Sequence, residues 1–262
     1  MRYFIVDAFA ERVFEGNPAA VCILDAWLDP ELMQRIAIEN NLSETAFAVK
    51  EGEHYRLRWF TPGGEVDLCG HATLAAAFVI CNYVEDVREI VFETMSGRMT
   101  VARQSDLYEL DFPARMPSPI EVTPQMASAI GATPVEGYLG RDYMFVLENE
   151  EAVRELKPDF TAMEALSEGM GVLVTAKGSG CDFVSRAFFP KLKINEDPVC
   201  GSAHCNFIPF WSERLNRREM VAWQLSARGG VLYCKHCGGR VKMAGKAALY
   251  ATGEFFLPAD RL

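Results

Sequence analysis

Three stretches of this chain combine residue types and spacing that can move a proton. In Asn40-Asn41-Leu42-Ser43-Glu44-Thr45-Ala46-Phe47 a single carboxylate, Glu44, sits between apolar neighbours at the end of a helical pattern. Desolvation of a carboxyl at such a junction favours its neutral form and suits it to general acid/base work near neutral pH. The alternative is a solvated surface glutamate, the ordinary condition of that residue. The second stretch is Asp67-Leu68-Cys69-Gly70-His71-Ala72-Thr73, and the third is Glu196-Asp197-Pro198-Val199-Cys200-Gly201-Ser202-Ala203-His204. In each, a small residue and a glycine open a helical pattern, where free backbone N–H groups and the helix dipole favour a carboxylate or a developing oxyanion. Gly70 and Gly201 fit tight turns equally well, and Cys69 and Cys200 fit as small core hydrophobes. His71 can position a substrate, relay a proton or act as a hydrogen-bonded structural residue. Asp197 precedes Pro198, which disfavours helix there, so it is expected to cap the second helix or to point into a cleft.

A fourth stretch, Cys234-Lys235-His236-Cys237, has the spacing of half a zinc site, but the sequence offers no second Cys-x-x-Cys or His-x-x-x-His partner. Strand-like residues 231–233 and 241–243 flank it and Gly238-Gly239 follows, so it reads as a hairpin tip with reduced thiols rather than a metal site. No GxGxxG and no Walker-type loop occurs, which leaves a nucleotide cofactor without a seat.

The elements that must carry these residues follow from period and punctuation. Residues 3–9 and 19–24 alternate as strands in a hairpin-like opening. Asp29-Pro30 caps a helix that runs with one apolar face to about Asn40. Strands are expected over 45–49 and 55–60, and the turn Thr61-Pro62-Gly63-Gly64 leads to the helix that begins at Cys69-Gly70. The segment Ala72-Thr73-Leu74-Ala75-Ala76-Ala77-Phe78-Val79-Ile80-Cys81 is apolar on nearly every side, which marks a buried helix. Strands wrapped about a central helix are the expected architecture, unlike a parallel sheet covered by amphipathic helices.

An internal repeat supports this. Cys69-Gly70-His71-Ala72 and Cys200-Gly201-Ser202-Ala203 lie half the chain apart, and beyond each comes a glycine-marked strand, at Gly97 and at Gly229-Gly230. Two copies of one unit are expected: residues 1–115, joined by a C-terminal strand at 248–262, and residues 116–247, with the active site in the cleft between them. The proline-rich stretch 113–124 is the expected linker. Pro209, inside the second helix, should end or kink it early.

Composition narrows the partners. The chain has 262 residues, 50% of them hydrophobic and 24% charged, with 36 acidic against 26 basic side chains and a net charge of −10. That field repels nucleic acid and anionic lipid. The longest basic cluster, Arg214, Arg217 and Arg218, reads as a solvated helix end. No apolar run is long enough for a membrane span and the N-terminal segment is broken by charges, so a cytoplasmic protein is expected. Eight dispersed cysteines fit reduced thiols.

With these residues in place, Gly16-Asn17-Pro18-Ala19-Ala20-Val21, Asn41-Leu42-Ser43-Glu44-Thr45, Cys69-Gly70-His71-Ala72-Thr73 and the 196–203 motif resemble, in order and spacing, the PhzF-like proteins of phenazine biosynthesis. The resemblance implies an α+β, diaminopimelate-epimerase-like fold of two pseudo-symmetric halves, each a curled mixed sheet around a central helix. It implies Glu44 as the essential acid/base, with His71, Asp197 and Ser202 lining the substrate pocket and Gly70 and Gly201 supplying backbone donors. Asn17, in the first motif, is taken with them as substrate-binding. It further implies an isomerase that moves a proton between carbons of a small acidic metabolite without metal or organic cofactor, often as a homodimer. In the phenazine enzyme that metabolite is a dihydro-hydroxyanthranilate.

One departure matters. Cysteines at both 69 and 200 look like the two-thiol arrangement of diaminopimelate epimerase, in which one thiolate removes an α-proton and the opposite thiol returns one. His71 stands where that epimerase has asparagine, however, and Glu44 is retained. A glutamate-centred isomerase is therefore the first reading, a Cys69/Cys200 racemase or epimerase the second, and a non-catalytic ligand- or partner-binding protein the third.

Overall fold

The computed structural model describes residues Met1–Leu257. The chain forms two compact units: Met1–Asp111 together with the segment from Ala244 onward, and Phe112–Met243. The first contains β1 (Arg2–Ala8), β2 (Asn17–Leu24), α1 (Pro30–Asn40), β3 (Glu44–Glu51), β4 (His54–Thr61), β5 (Gly64–Val66), α2 (Gly70–Val79), β6 (Glu89–Thr94) and β7 (Gly97–Gln104). The chain leaves it within β8 (Leu107–Pro113). The second contains β9 (Ser118–Ile120), α3 (Pro124–Ile130), β10 (Glu136–Leu139), β11 (Tyr143–Val146), α4 (Glu150–Arg154), α5 (Phe160–Glu164), β12 (Val172–Lys177), β13 (Phe183–Phe188), α6 (Gly201–Leu215), β14 (Glu219–Gln224) and β15 (Gly230–His236). The chain returns within β16 (Arg240–Gly245) and closes the first unit with β17 (Ala247–Glu254). Residues 258–262 of the expected terminal strand lie outside the described residues.

Each unit has a mixed sheet and one helix buried on nearly every side. In the first, β1 lies antiparallel to both β2 and β17, β2 runs parallel to β3, β3 pairs antiparallel with β4, and β4 runs parallel to β6. In the second, β10 and β11 are antiparallel, β11 and β12 parallel, β12 and β13 antiparallel, and β13 and β14 parallel. The parallel pairs bracket α1 and α2 in one unit, and α4, α5 and α6 in the other, so the repeat read from four residues extends through the strand order.

The α2 helix packs against β1, β2, β3 and β17, and Ala72, Leu74, Ala75, Ala76, Ala77 and Val79 are all buried. A single π-helical turn, Ile80–Val84, ends it. In the other unit α6 presents Phe207 and Trp211 to Phe183 of β13, and Trp211 Nε1 donates to Thr175 Oγ1 of β12 at 2.8 Å.

Three expectations are corrected. Pro209 does not end α6, which continues six residues beyond it. A proline there removes the N–H that would bond the Cys205 carbonyl, and that carbonyl instead accepts the Arg115 backbone N–H at 2.9 Å. Asp197 does not cap α6; the cap is Cys200, in extended conformation. The stretch 113–124 is not only a connector, since β9 within it pairs with β10. The short strand β5, which shares only Gly64 with the expected turn, pairs with β4. Among the described residues no helix is long and apolar enough to cross a membrane.

Candidate active site

Three elements of the first unit begin close together, and each brings one polar residue. Asp29 caps α1 by accepting the Glu31 N–H at 2.8 Å, Pro30 occupies its first position, and Asn41 ends it in the left-handed region at φ 49°. That cap turns the chain sharply, so Glu44 becomes the first residue of β3, where it pairs in register with Ala19 of β2. Asn17 is the first residue of β2, and His71 lies in the first turn of α2.

The Glu44 side chain is 13% exposed and that of His71 7%, so the carboxylate is not the solvated surface group of the plainer reading. Glu44 Oε2 and His71 Nε2 are 3.1 Å apart, close enough for an ion pair. The other face of the ring is held twice: Nδ1 is 3.2 Å from Asn17 Nδ2 and 3.5 Å from Cys69 Sγ. Asn17 is fully buried, and its amide oxygen accepts from Ser43 Oγ at 3.5 Å. Burial opposes charge on His71, but the adjoining Cys69 and Glu44 outweigh it and hold the ring's pKa well above 6.5. Cys69 moves upward as well, through burial first and the Glu44 carboxylate second.

The helix start of the second unit is built on the same plan with other residues. Cys69 and Cys200 are both extended caps, and the residue four positions on bonds back to the cysteine carbonyl: Thr73 Oγ1 donates to Cys69 O at 2.5 Å, and His204 Nδ1 donates to Cys200 O at 2.7 Å. His204 is buried beside Phe183 and Phe207, and desolvation lowers its pKa to about 4, so it is neutral. Cys200 Sγ lies 3.3 Å from Ser202 Oγ, and burial together with the Asp197 carboxylate raises its pKa well above the usual thiol range. The approach to this helix is pinned by Gln224, a residue that sequence reasoning missed. Its amide is 1% exposed; Oε1 accepts the Cys200 N–H at 2.9 Å and Nε2 donates to the Asp197 carbonyl at 2.6 Å. Arg186 fixes the preceding loop through a two-pronged pair with Glu196. Nothing local marks Gln224, because its partners are far away in sequence and close only once β14 is laid down.

Of the residues singled out, Asn17, Glu44, Cys69 and His71 therefore form one cluster around the start of α2, and Asp197, Cys200 and Ser202 another around the start of α6. Gly70 and Gly201 are the first residues of those helices. Cys234 is buried and Cys237 exposed, while His236 bonds Ser212 and the Gly238 carbonyl, as a hairpin tip requires.

Comparison with known proteins identifies the family. A crystal structure of a phenazine biosynthesis protein of the PhzF family from Enterococcus faecalis superposes with a TM-score of 0.97 at 56% identity, covering 98% of this chain and 99% of that one. A Pseudomonas aeruginosa protein named an uncharacterized isomerase is 51% identical over 259 residues, 98% of this chain and 99% of its own. A hydroxyproline epimerase from Agrobacterium vitis, at 11% identity, 97% and 91% coverage and a TM-score of 0.63, shares the fold alone. The sequence model described as phenazine biosynthesis-like protein (PhzC-PhzF) matches residues 6–253, and the chain belongs to that family, with its epimerase-type α+β fold.

Proposed function

We propose that this chain is a cofactor-independent isomerase in which Glu44 takes a proton from one carbon of a small acidic substrate and returns it at another. The observation that carries the reading is the mostly buried Glu44 carboxylate held beside His71 at 3.1 Å. The Glu44 carboxylate breaks a C–H bond made acidic by a neighbouring carbonyl or carboxylate, and the electron pair delocalises into that group. The new carboxyl O–H then delivers its proton to a conjugated carbon, which restores the carboxylate. His71, with Nε2 3.1 Å from Oε2, fixes the carboxylate's position, and amides at the start of α2 favour the developing negative charge.

Glu44→Gln keeps shape and removes the base. The expected result is a loss of about 10²–10⁴ in turnover with the fold intact. The assay is an untargeted screen for metabolites that incorporate solvent deuterium with wild type, followed by the same exchange with the variant; undiminished exchange in Glu44→Gln refutes the assignment. The two-thiol reading is weaker, because burial first and an adjoining carboxylate second raise the pKa of both Cys69 and Cys200. It predicts exchange that survives Glu44→Gln and is lost in Cys69→Ser and Cys200→Ser.

A further inference from the structure

Glu44, Cys69 and His71 each offer one ligand atom, and the three atoms lie within 4.8 Å of one another. We propose that this triad binds a thiophilic divalent cation, zinc being the type, and that occupancy blocks the proton transfer assigned to Glu44. The binding stands on ligand chemistry; the blockade rests on the reading of Glu44 as base.

One thiolate, one imidazole and one carboxylate form a zinc-type donor set, and three protein ligands leave the fourth position open. The distances agree. A tetrahedral zinc with N and O ligands at about 2.0 Å holds those two atoms about 3.2 Å apart, and His71 Nε2 and Glu44 Oε2 already stand at 3.1 Å. The edges to sulfur need about 3.5 Å; Cys69 Sγ lies 3.5 Å from His71 Nδ1 and within 4.8 Å of the other ligand atoms, so it must turn from Nδ1 toward the Nε2 side to complete the set.

The outer shell is present as well. A metal-bound imidazole needs its second nitrogen held, and Asn17 lies 3.2 Å from His71 Nδ1. Asn17 Nδ2 stands against Nδ1, so metal binding requires the amide to turn over, presenting its oxygen to Nδ1–H and leaving Nε2 to ligate. Ser43 Oγ, also beside that amide, can donate or accept and so serves either orientation. Binding forms Zn–S, Zn–N and Zn–O bonds and releases the Cys69 thiol proton and the imidazolium proton to solvent, so affinity rises with pH. The oxygen that would accept the substrate proton is then a metal ligand.

The test is a cobalt(II) titration of the reduced, full-length chain carrying Cys237→Ser, which removes the exposed hairpin thiol. One equivalent should give four-coordinate d–d bands and a sulfur-to-cobalt charge-transfer band, both displaced by zinc. Cys69→Ser should abolish the charge-transfer band, and the isosteric Glu44→Gln should weaken binding at least tenfold while circular dichroism shows both variants folded. No stoichiometric binding, or the same spectrum and affinity in both variants, overturns the site. Zinc should also stop deuterium exchange on the metabolite found in the screen. Stoichiometric zinc with exchange unaffected overturns the blockade, whereas no binding together with exchange lost in Glu44→Gln overturns the metal site and leaves the base assignment standing.

Discussion

A buried imidazole with a carboxylate on one nitrogen and a thiol beside the other is a proton store whose sign can be worked out. The folded pKa of His71 is raised well above 6.5 because Cys69 and Glu44 outweigh burial, so the folded protein holds that proton more tightly than the unfolded chain does. The resulting stability is fully present below about pH 6.5 and is lost as pH climbs through the raised folded value. His71→Asn should therefore be most destabilised, relative to wild type, at mildly acidic pH, with the difference narrowing as pH rises. Urea midpoints at about pH 6 and about pH 9 measure this, and a pH-independent gap would mean that the ring contributes packing only. At this scale the sequence showed which residue types could react but not their state. Glu44 could be read as solvated or buried until β2 and β3 were paired, because its neighbour His71 arrives from another element. Gln224 could not be found at all, since its two partners are set by tertiary structure.

Elements were more legible, because caps and apolar period act locally. Asp29-Pro30 starts α1 where the sequence says it should, and the helix with no polar face is the buried one. Pro209 shows where local rules stop. A proline in a helix interior costs about 3 kcal/mol, partly through the carbonyl it leaves without a donor. Here that carbonyl, on Cys205, is already bonded to the Arg115 N–H at 2.9 Å. Pro209→Ala should consequently gain less than about 1 kcal/mol, since the new N–H competes for an acceptor in use. Equilibrium urea unfolding of the variant decides the point, and a gain near the full proline cost would show that the Arg115 bond contributes nothing. The same long-range bond explains why the sequence predicted an early helix end: the compensating donor comes from the far side of the unit's chain.

On the scale of the whole molecule, the repeat is one strand order written twice around two helices, each opened by a cysteine and a glycine. Only the first copy places a carboxylate against a histidine at that opening; the second uses its histidine, His204, as a neutral brace for the Cys200 carbonyl. The copies also differ in continuity. Phe112–Met243 is one uninterrupted segment, whereas the first unit lacks a strand until β17 pairs along β1, from Arg2 opposite Glu254 to Ala8 opposite Ala247. On the ribosome this reverses the usual order, in which the segment made first folds first. Residues 1–111 wait for 247–254, and until then β1 offers a bare edge to any other strand. A nascent chain arrested after residue 245 and treated briefly with protease should keep 112–243 as a resistant fragment and lose 1–111. Equal resistance of both would show that β1 and β2 close the first unit without their late partner.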